Sequence, residues 1–377
     1  MNLELTAEQQ ALRDTVRRFV AEKAGVATYV RKALDTSADA RDPAGAKDEV
    51  WRGLAELGAT AVLVPPDYDG AGMTMFEAGV VAEELGAALY PGPWLSCAVA
   101  ATRALTRTGP GDSAKTLLTG IGDGSVIVTL GLHAGPRPNA TPGGDGWVLG
   151  GEIAAVPDFA IADVVLVFAD DPDGAALFAV ETSCDGLDPT AQHGVDPTRQ
   201  MFDVSLDGVP AQRLASAAPQ VIQAVTDDVL TAHAADALGA ARAVLQLAVE
   251  HAKLRHQFGR PIGSFQAIQH LCVDMYETVE LARGGVIHAL WAADAAAPEE
   301  RHLAAIRAKA FAARLATVGD TAIQVLGGIG YTWEHDAHLY LRRLLSWSAF
   351  LGSSDEYFTE IGARLARSVV AERVTDG

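Results

Sequence analysis

The sequence predicts a mostly helical α+β chain in three parts: an N-terminal helical domain over residues 1–120, a middle antiparallel β domain over 121–218 and a C-terminal four-helix bundle over 219–377. Three observations carry this expectation. Apolar residues recur at helical spacing toward both ends, the period shortens to extended runs between about Ser125 and Leu206, and 377 residues exceed what one ordinary core organises.

Taken in order, Thr6 followed by Glu8 and Gln9 opens the first helix, in which Leu12, Val16, Phe19 and Val20 share a face. A second helix runs through Val50 to Leu57 and is closed by Gly58. The turn-rich segment Pro65 to Gly72 leads to a third, from about Met75 to Leu85, which Gly86 is expected to end. Val126 to Leu130, Gly146 to Leu149, Val164 to Phe168, Ala176 to Val180 and Met201 to Leu206 are β-branched or apolar runs between Gly, Pro and Asp clusters, and they read as strands. After Pro219 the helical period returns. Leu238, Ala241, Leu245, Ala248 and Ala252 mark one helix, and Ile268, Leu271, Met275 and Val279 the next. Pro298 sits near the start of a third, with Glu299 and Glu300 in the first turn where the helix dipole favours acids. A long fourth segment follows Gly330, and short connections between such helices imply an antiparallel bundle.

Composition narrows the function classes. At 49% hydrophobic and 20% charged residues the chain is globular. A formal charge of −19 argues against a nucleic-acid surface, which needs a large basic footprint, but leaves room for a small anionic cofactor held by local basic groups. Cys97, Cys184 and Cys272 are widely spaced and odd in number, so they suggest neither a disulfide framework nor a metal site, and buried hydrophobe is their expected role. The N-terminus lacks a signal-peptide pattern, and no apolar run reaches the roughly 20 residues that cross a bilayer. A soluble cytoplasmic protein without a membrane partner is the expectation.

Two motifs carry chemistry. Val318, Ala322 and Val325 lead a helix into Gly327-Gly328, within Gln324-x-x-Gly327-Gly328-x-Gly330-Tyr331, followed by acidic residues and the pair Arg342-Arg343. Earlier, Arg255-x-x-Phe258-Gly259 is followed by Phe265-Gln266, with Gly259 and Pro261 expected to end one helix and Ser264 to cap the next. Arginine suits an anion site because its forked donors grip two phosphate oxygens and its charge is permanent. His133, His193, His256 and His335 have no triad or metal-ligand spacing, and surface or packing roles are expected. Glu334 and Asp336 are accounted for by solvation or by pairing with Arg342 or Arg343.

Together these motifs resemble the acyl-CoA dehydrogenase family over essentially the whole chain, and the turn and helix from Pro65 to Gly86 resemble it more weakly. The resemblance implies the three-part fold of that family and FAD as cofactor. It also implies that Arg255, Phe258, Gln266, Gln324, Gly327 and Gly328 hold the pyrophosphate and adenosine end of a flavin bound by a neighbouring subunit. The family's own flavin-ring contacts are a Thr-Glu-Pro strand end and a Trp-Ile-Thr/Ser turn. Here those places read Thr129-Leu130-Gly131 and Ala155-Val156-Pro157, and proline has neither the N–H nor the hydroxyl that a flavin edge requires. The family's catalytic glutamate position holds Leu351, which accepts no proton. Some members place the base on an earlier helix, at the position of Val229 here. Asp227 and Asp228 lie beside it, so Asp228 is a candidate base, while the plainer reading of both is helix-start acids facing the dipole.

All three losses fall on one half of the active site. The resemblance therefore implies a subunit of an α2β2 heteromer, whose catalytic partner supplies flavin platform and glutamate for α,β-dehydrogenation of an acyl-CoA such as a fatty acyl or steroid side-chain ester, with electrons passed to an electron-transfer flavoprotein. A self-sufficient homotetramer using Asp228 and a non-catalytic scaffold of the same fold stay open at this point.

Overall fold

The computed structural model describes residues 4–35, 47–109, 111–132, 135–144 and 146–375; His133 lies outside them. Helix α1 (Ala7–Lys23) begins with a capping box: the Thr6 side chain accepts from the Gln9 backbone N–H and the Gln9 side chain accepts from that of Thr6. A π-helical turn, Val26–Val30, leads into α2 (Arg31–Asp35). Asp48 caps α3 (Glu49–Glu56) through the N–H groups of Val50 and Trp51. Helix α4 (Met75–Ala87) opens on a second capping box, Thr74 with Glu77. Gly86 does not stop α4. A Cβ there would sit 2.0 Å from the Asp236 carbonyl oxygen, and one on Gly239 would sit 1.8 Å from that of Glu83. These two glycines let α4 touch the long helix α7 (Pro219–Leu254) backbone to backbone. A π-helical stretch, Leu95–Ala101, then runs into α5 (Thr102–Arg107) and α6 (Asp112–Gly122).

Seven strands follow: β1 (Val128–Gly131), β2 (Asn139–Gly143), β3 (Gly146–Pro157), β4 (Val164–Asp171), β5 (Gly174–Glu181), β6 (Leu187–Ala191) and β7 (Met201–Ser216). The order β1-β4-β2-β3-β7-β5 closes on itself because β5 also pairs with β4, while β6 flanks β7. Pairing is largely antiparallel, but β1 runs parallel to β4, with Val128 opposite Val164. Pro142 and Pro189 interrupt β2 and β6, which hides both from an apolar-run reading and suits short, partly exposed strands. Alternate residues of β3, β4, β5 and β7 fill the interior, among them Leu149, Val165, Phe178 and Val204.

The bundle comprises α7 (Pro219–Leu254), α8 (Gln266–Ala295), α9 (Pro298–Ala310), α10 (Ala312–Leu326), α11 (Ala337–Ala349) and α12 (Ser354–Thr375). One apolar core runs from α1 and α4 through α7 to α11. Buried charge joins the parts. Arg343 on α11 reaches Asp196 in the β6–β7 connection at 2.7 Å and Asp236 on α7 at 3.1 Å, and Arg199 reaches Asp236 at 2.7 Å. Arg343 is thus committed to these acids, while Asp336 pairs with Arg31 at 2.7 Å, in place of the pairing expected between Asp336 and the arginine pair. No helix among the described residues is long and apolar enough to cross a membrane.

Candidate functional site

Helix α7 ends at Leu254, and Arg255 turns to extended geometry. A two-residue hairpin turn follows, with Phe258 at φ 54° and Gly259 at φ 76° between β8 (His256–Gln257) and β9 (Arg260–Pro261). Gly259 and Pro261 therefore shape a hairpin beyond the helix end. Ser264 does not cap α8: its hydroxyl donates to the Pro261 carbonyl, and Phe265 takes the cap position without a side-chain bond. The Gly-Gly block lies at the same end of the bundle. Helix α10 stops at Leu326, Gly327 adopts φ 65°, and Gly327–Tyr331 form a 3₁₀ turn. His251, in the last turn of α7, has its pKa lowered by burial first and then by the charges of His335 and Arg255.

This end is bare. Arg255, Phe258, Gln266, Gln324 and Gly328 are exposed and Gly327 is half-buried. Arg255 makes no ion pair among the described residues, and a Cβ on Gly259, Gly327 or Gly328 would meet nothing within 4 Å. Phe258 is 90% exposed, braced edge-on by Phe265, which in turn has the Arg260 guanidinium 4.1 Å from its centroid. A free guanidinium beside an unobstructed backbone shelf is chemistry that fits a pyrophosphate.

The flavin-ring side is the reverse. Leu95, Ser96, Ala155, Val229, His233 and Phe350 line a cavity of about 20 Å³, room for little more than a water molecule. The Thr129 hydroxyl donates to the Pro157 carbonyl at 2.6 Å, so it too is committed within the chain. His233 stacks on Phe350 at 4.4 Å, and burial holds its pKa down to about 3, so the ring is neutral. The Ser96 hydroxyl donates to buried Asp158 at 2.5 Å, and burial raises that carboxyl above its usual range. Lys309, fully buried behind this cluster, donates to the Trp347 carbonyl, and burial lowers its pKa to about 7. The residues present do not fit a flavin ring.

Beside it lies a larger cavity of about 360 Å³, bounded by Leu132, Ile153, Phe168, Ile222, His302 and Leu351. Leu351, where the resemblance leads one to expect the base, is in a left-handed conformation, φ 53°, with Tyr357 donating to its carbonyl at 2.6 Å. His302 bridges two acids from other helices: Nδ1 lies 2.8 Å from Asp227 and Nε2 3.0 Å from Glu360. The bond to Asp227, more than any other contact, raises the imidazole pKa.

Asp228 is no base here. It is fully buried, 2.7 Å from Arg103 Nε and 2.6 Å from Arg107 Nε, and it lines neither cavity. Because α7 already begins at Pro219, Asp227 and Asp228 are interior residues serving ion pairs, not helix-start acids. Of the three cysteines only Cys97 is buried; Cys184 and Cys272 are partly exposed, and all three are free thiols. His302, His233 and Lys309 were invisible in the sequence, because the partners of His302 stand 75 and 58 positions away and those of the others come from separate helices.

Residues 6–125 match the family model of the acyl-CoA dehydrogenase N-terminal domain and residues 221–366 that of the C-terminal domain. The acyl-CoA dehydrogenase IpdE2 of Mycobacterium tuberculosis is 34% identical over 96% of this chain and 98% of its own length. The acyl-CoA dehydrogenase FadE34 of the same organism is 35% identical over 95% of this chain, which spans only 48% of that longer relative. Among solved structures, the ChsE4-ChsE5 complex from M. tuberculosis superposes with a TM-score of 0.86 at 27% identity, covering 97% of this chain and 99% of its counterpart. A variant of the Tcur3481-Tcur3483 steroid ACAD gives 0.85 at 32%, covering 96% and 99%. Matches to both terminal domain models, and full-length likeness to IpdE2, show that the chain belongs to the acyl-CoA dehydrogenase family, the FAD-dependent oxidoreductases acting on the CH–CH bond of acyl-CoA.

Proposed function

We propose that this chain is the base-lacking subunit of a heteromeric FAD-dependent acyl-CoA dehydrogenase. Arg255, Phe258, Gln266, Gln324, Gly327 and Gly328 hold the nucleotide end of an FAD whose ring lies in a catalytic partner subunit. FAD held there would supply the hydride acceptor for α,β-dehydrogenation of the acyl-CoA, with an electron-transfer flavoprotein as the destination of the electrons. Arg255 grips the pyrophosphate through charge-assisted donors, and the glycines let backbone approach it. The observation that carries this reading is the pairing of a bare Arg255 shelf with a ring-side cavity of about 20 Å³ whose surviving hydroxyl is committed to Pro157.

Two comparisons support it. The similar structures ChsE4-ChsE5 and Tcur3481-Tcur3483 are assemblies of two named components. FadE34 is about twice as long as its matching stretch, so one polypeptide has room for two units of this size. The steroid ACAD also suggests bulky acyl esters, such as steroid side-chain thioesters, as the substrate class.

Purification with and without a coexpressed, catalytically complete acyl-CoA dehydrogenase subunit tests the proposal. The chain alone should be colourless, and the coexpressed pair should carry one FAD per two unlike chains. A yellow, active homo-oligomer overturns it, and a stable pair whose flavin content ignores Arg255→Ala points instead to a scaffold.

A further inference from the structure

A third cavity, of about 340 Å³, lies between α1, α4, α7 and α8 and shares no lining residue with the two beside Leu351 and His233. Its size falls within the range of about 300–1,000 Å³ usual for small-molecule sites. Four arginines from three helices line it, Arg13 and Arg17 on α1, Arg242 on α7 and Arg283 on α8, against two acids, Glu83 and Glu84 on α4. The lining therefore carries a formal excess of two positive charges in a chain whose formal charge is −19. Phe76, Val80, Leu238, Ile287 and Leu290 supply an apolar wall. Buried Glu84 accepts from Arg17 Nε at 3.0 Å and Nη2 at 2.8 Å and from Arg242 Nη2 at 2.9 Å, while Glu83 accepts from Arg242 Nε at 3.1 Å and Arg283 Nη1 at 3.2 Å. These bonds fix the forks and leave donors over. Nη1 of Arg13, Arg17 and Arg242 makes no hydrogen bond among the described residues, and none of the three atoms is buried. A guanidinium has five N–H donors, so Arg17 and Arg242 can each hold an internal carboxylate and a ligand at once. Asp14, 3.0 Å from Arg13, and Glu280, 3.5 Å from Arg283, lie outside the lining with half-exposed side chains, where pairing is worth little and a ligand can replace it.

We infer that this cavity binds an amphipathic carboxylate, its apolar body against Val80, Leu238 and Leu290 and its head among Arg13, Arg17 and Arg242. A neutral apolar molecule would take the spare donors out of water without giving them a partner, and a small inorganic anion would leave the apolar wall wet. A planar carboxylate suits the site better than a phosphate monoester, because the same forks already hold one bidentately, Arg17 on Glu84. The free acid left by hydrolysis of an acyl thioester belongs to this class. The inference stands apart from the heteromer reading, since it uses neither the nucleotide shelf nor a partner chain.

Calorimetric titration of the full chain, in the assembly in which it purifies, with octanoate, octanol and octyl phosphate tests this, each ligand kept below the concentration at which it forms micelles. Octanoate should bind at one site per chain and at least about tenfold more tightly than octanol, the worth of a charge-assisted contact. A chain of formal charge −19 repels such an anion elsewhere on its surface, so saturable binding points to the arginine cavity. Arg13→Gln should weaken octanoate about tenfold and leave octanol binding and melting unchanged, since Arg13 pairs only with exposed Asp14. Ile287→Phe, which fills the cavity from a half-buried wall position and removes no charge, should weaken octanoate and octanol alike. Flavin content, the readout of the heteromer reading, should be the same in both variants as in the parent. The inference is overturned if octanol binds as tightly as octanoate, if octyl phosphate binds more tightly, or if either substitution leaves octanoate binding unchanged.

Discussion

The two surfaces that the family resemblance assigns to the ends of a dinucleotide are opposite in character in this chain. At the bundle end the Arg255 guanidinium makes no ion pair among the described residues, and a Cβ on Gly327 or Gly328 would meet nothing within 4 Å. On the ring side every comparable group is already engaged, Thr129 by Pro157, Asp158 by Ser96, and His233 by the Phe350 ring. A surface kept unsatisfied has a ligand to gain, whereas one satisfied internally would lose bonds on binding. On the proposed function, this contrast supports a nucleotide grip without a ring platform more directly than the leucine at position 351 alone.

The harshest way to break the comparison is through Asp228. If it were the chemical base of a self-sufficient enzyme, Asp228→Ala would leave the fold intact and abolish turnover. Since it holds Arg103 and Arg107 in the interior, the substitution should instead cost about 3–5 kcal/mol, read by denaturant unfolding. Arg255→Ala tests the open end: loss of a charge-assisted contact worth about 1.5–3 kcal/mol should cut the FAD affinity of the pair about 10- to 100-fold, read by equilibrium dialysis, with unchanged melting. Gly328→Val sharpens the same point. A Cβ there meets nothing within 4 Å, so stability should hold while FAD affinity falls on the order of tenfold, the ~1.4 kcal/mol of one obstructed backbone contact.

The smallest effect is a pH dependence next to Leu351. His302 gains its acid partners on folding and its pKa is raised, so its contribution is complete below about pH 6.5, the ordinary histidine value, and fades as pH rises through the folded value. The groups facing it are Asp227 from α7, Arg301 beside it on α9, and Glu360 with Arg364 and Tyr357 from α12. The difference in melting temperature between the parent and His302→Gln should shrink above that pH. Lys309 works in the opposite direction, since its pKa is lowered to about 7 on folding and stability therefore rises between pH 7 and about 10.5. Comparing each pH point with the variant removes that background.

Much of this architecture was legible in local pattern. The spacing of Leu238, Ala241 and Leu245 announces α7, and Thr6 with Gln9 announces the start of α1. What escaped reading was long-range. Gly86 looks like a stop because its use, contact with the Asp236 carbonyl, is set by a helix 150 residues later. Strands β2 and β6 hide behind their prolines. Replacement of the ring contacts by Ala155 and Pro157 can be read directly, but the filling of that space by His233 and Phe350 cannot, because it depends on how α7 and α11 face one another. The same holds for His302, whose chemistry exists only once three helices meet.

Leucine is ill-suited to the backbone it adopts at position 351. A left-handed residue with a branched side chain costs roughly 1–2 kcal/mol relative to ordinary helical geometry, yet Tyr357 ties its carbonyl down as though the turn still had something to aim. The turn serves the start of α12, whose Glu360 meets His302 one turn beyond Tyr357, so relaxing the loop with Leu351→Gly would ease strain at the risk of loosening the last helix of the bundle.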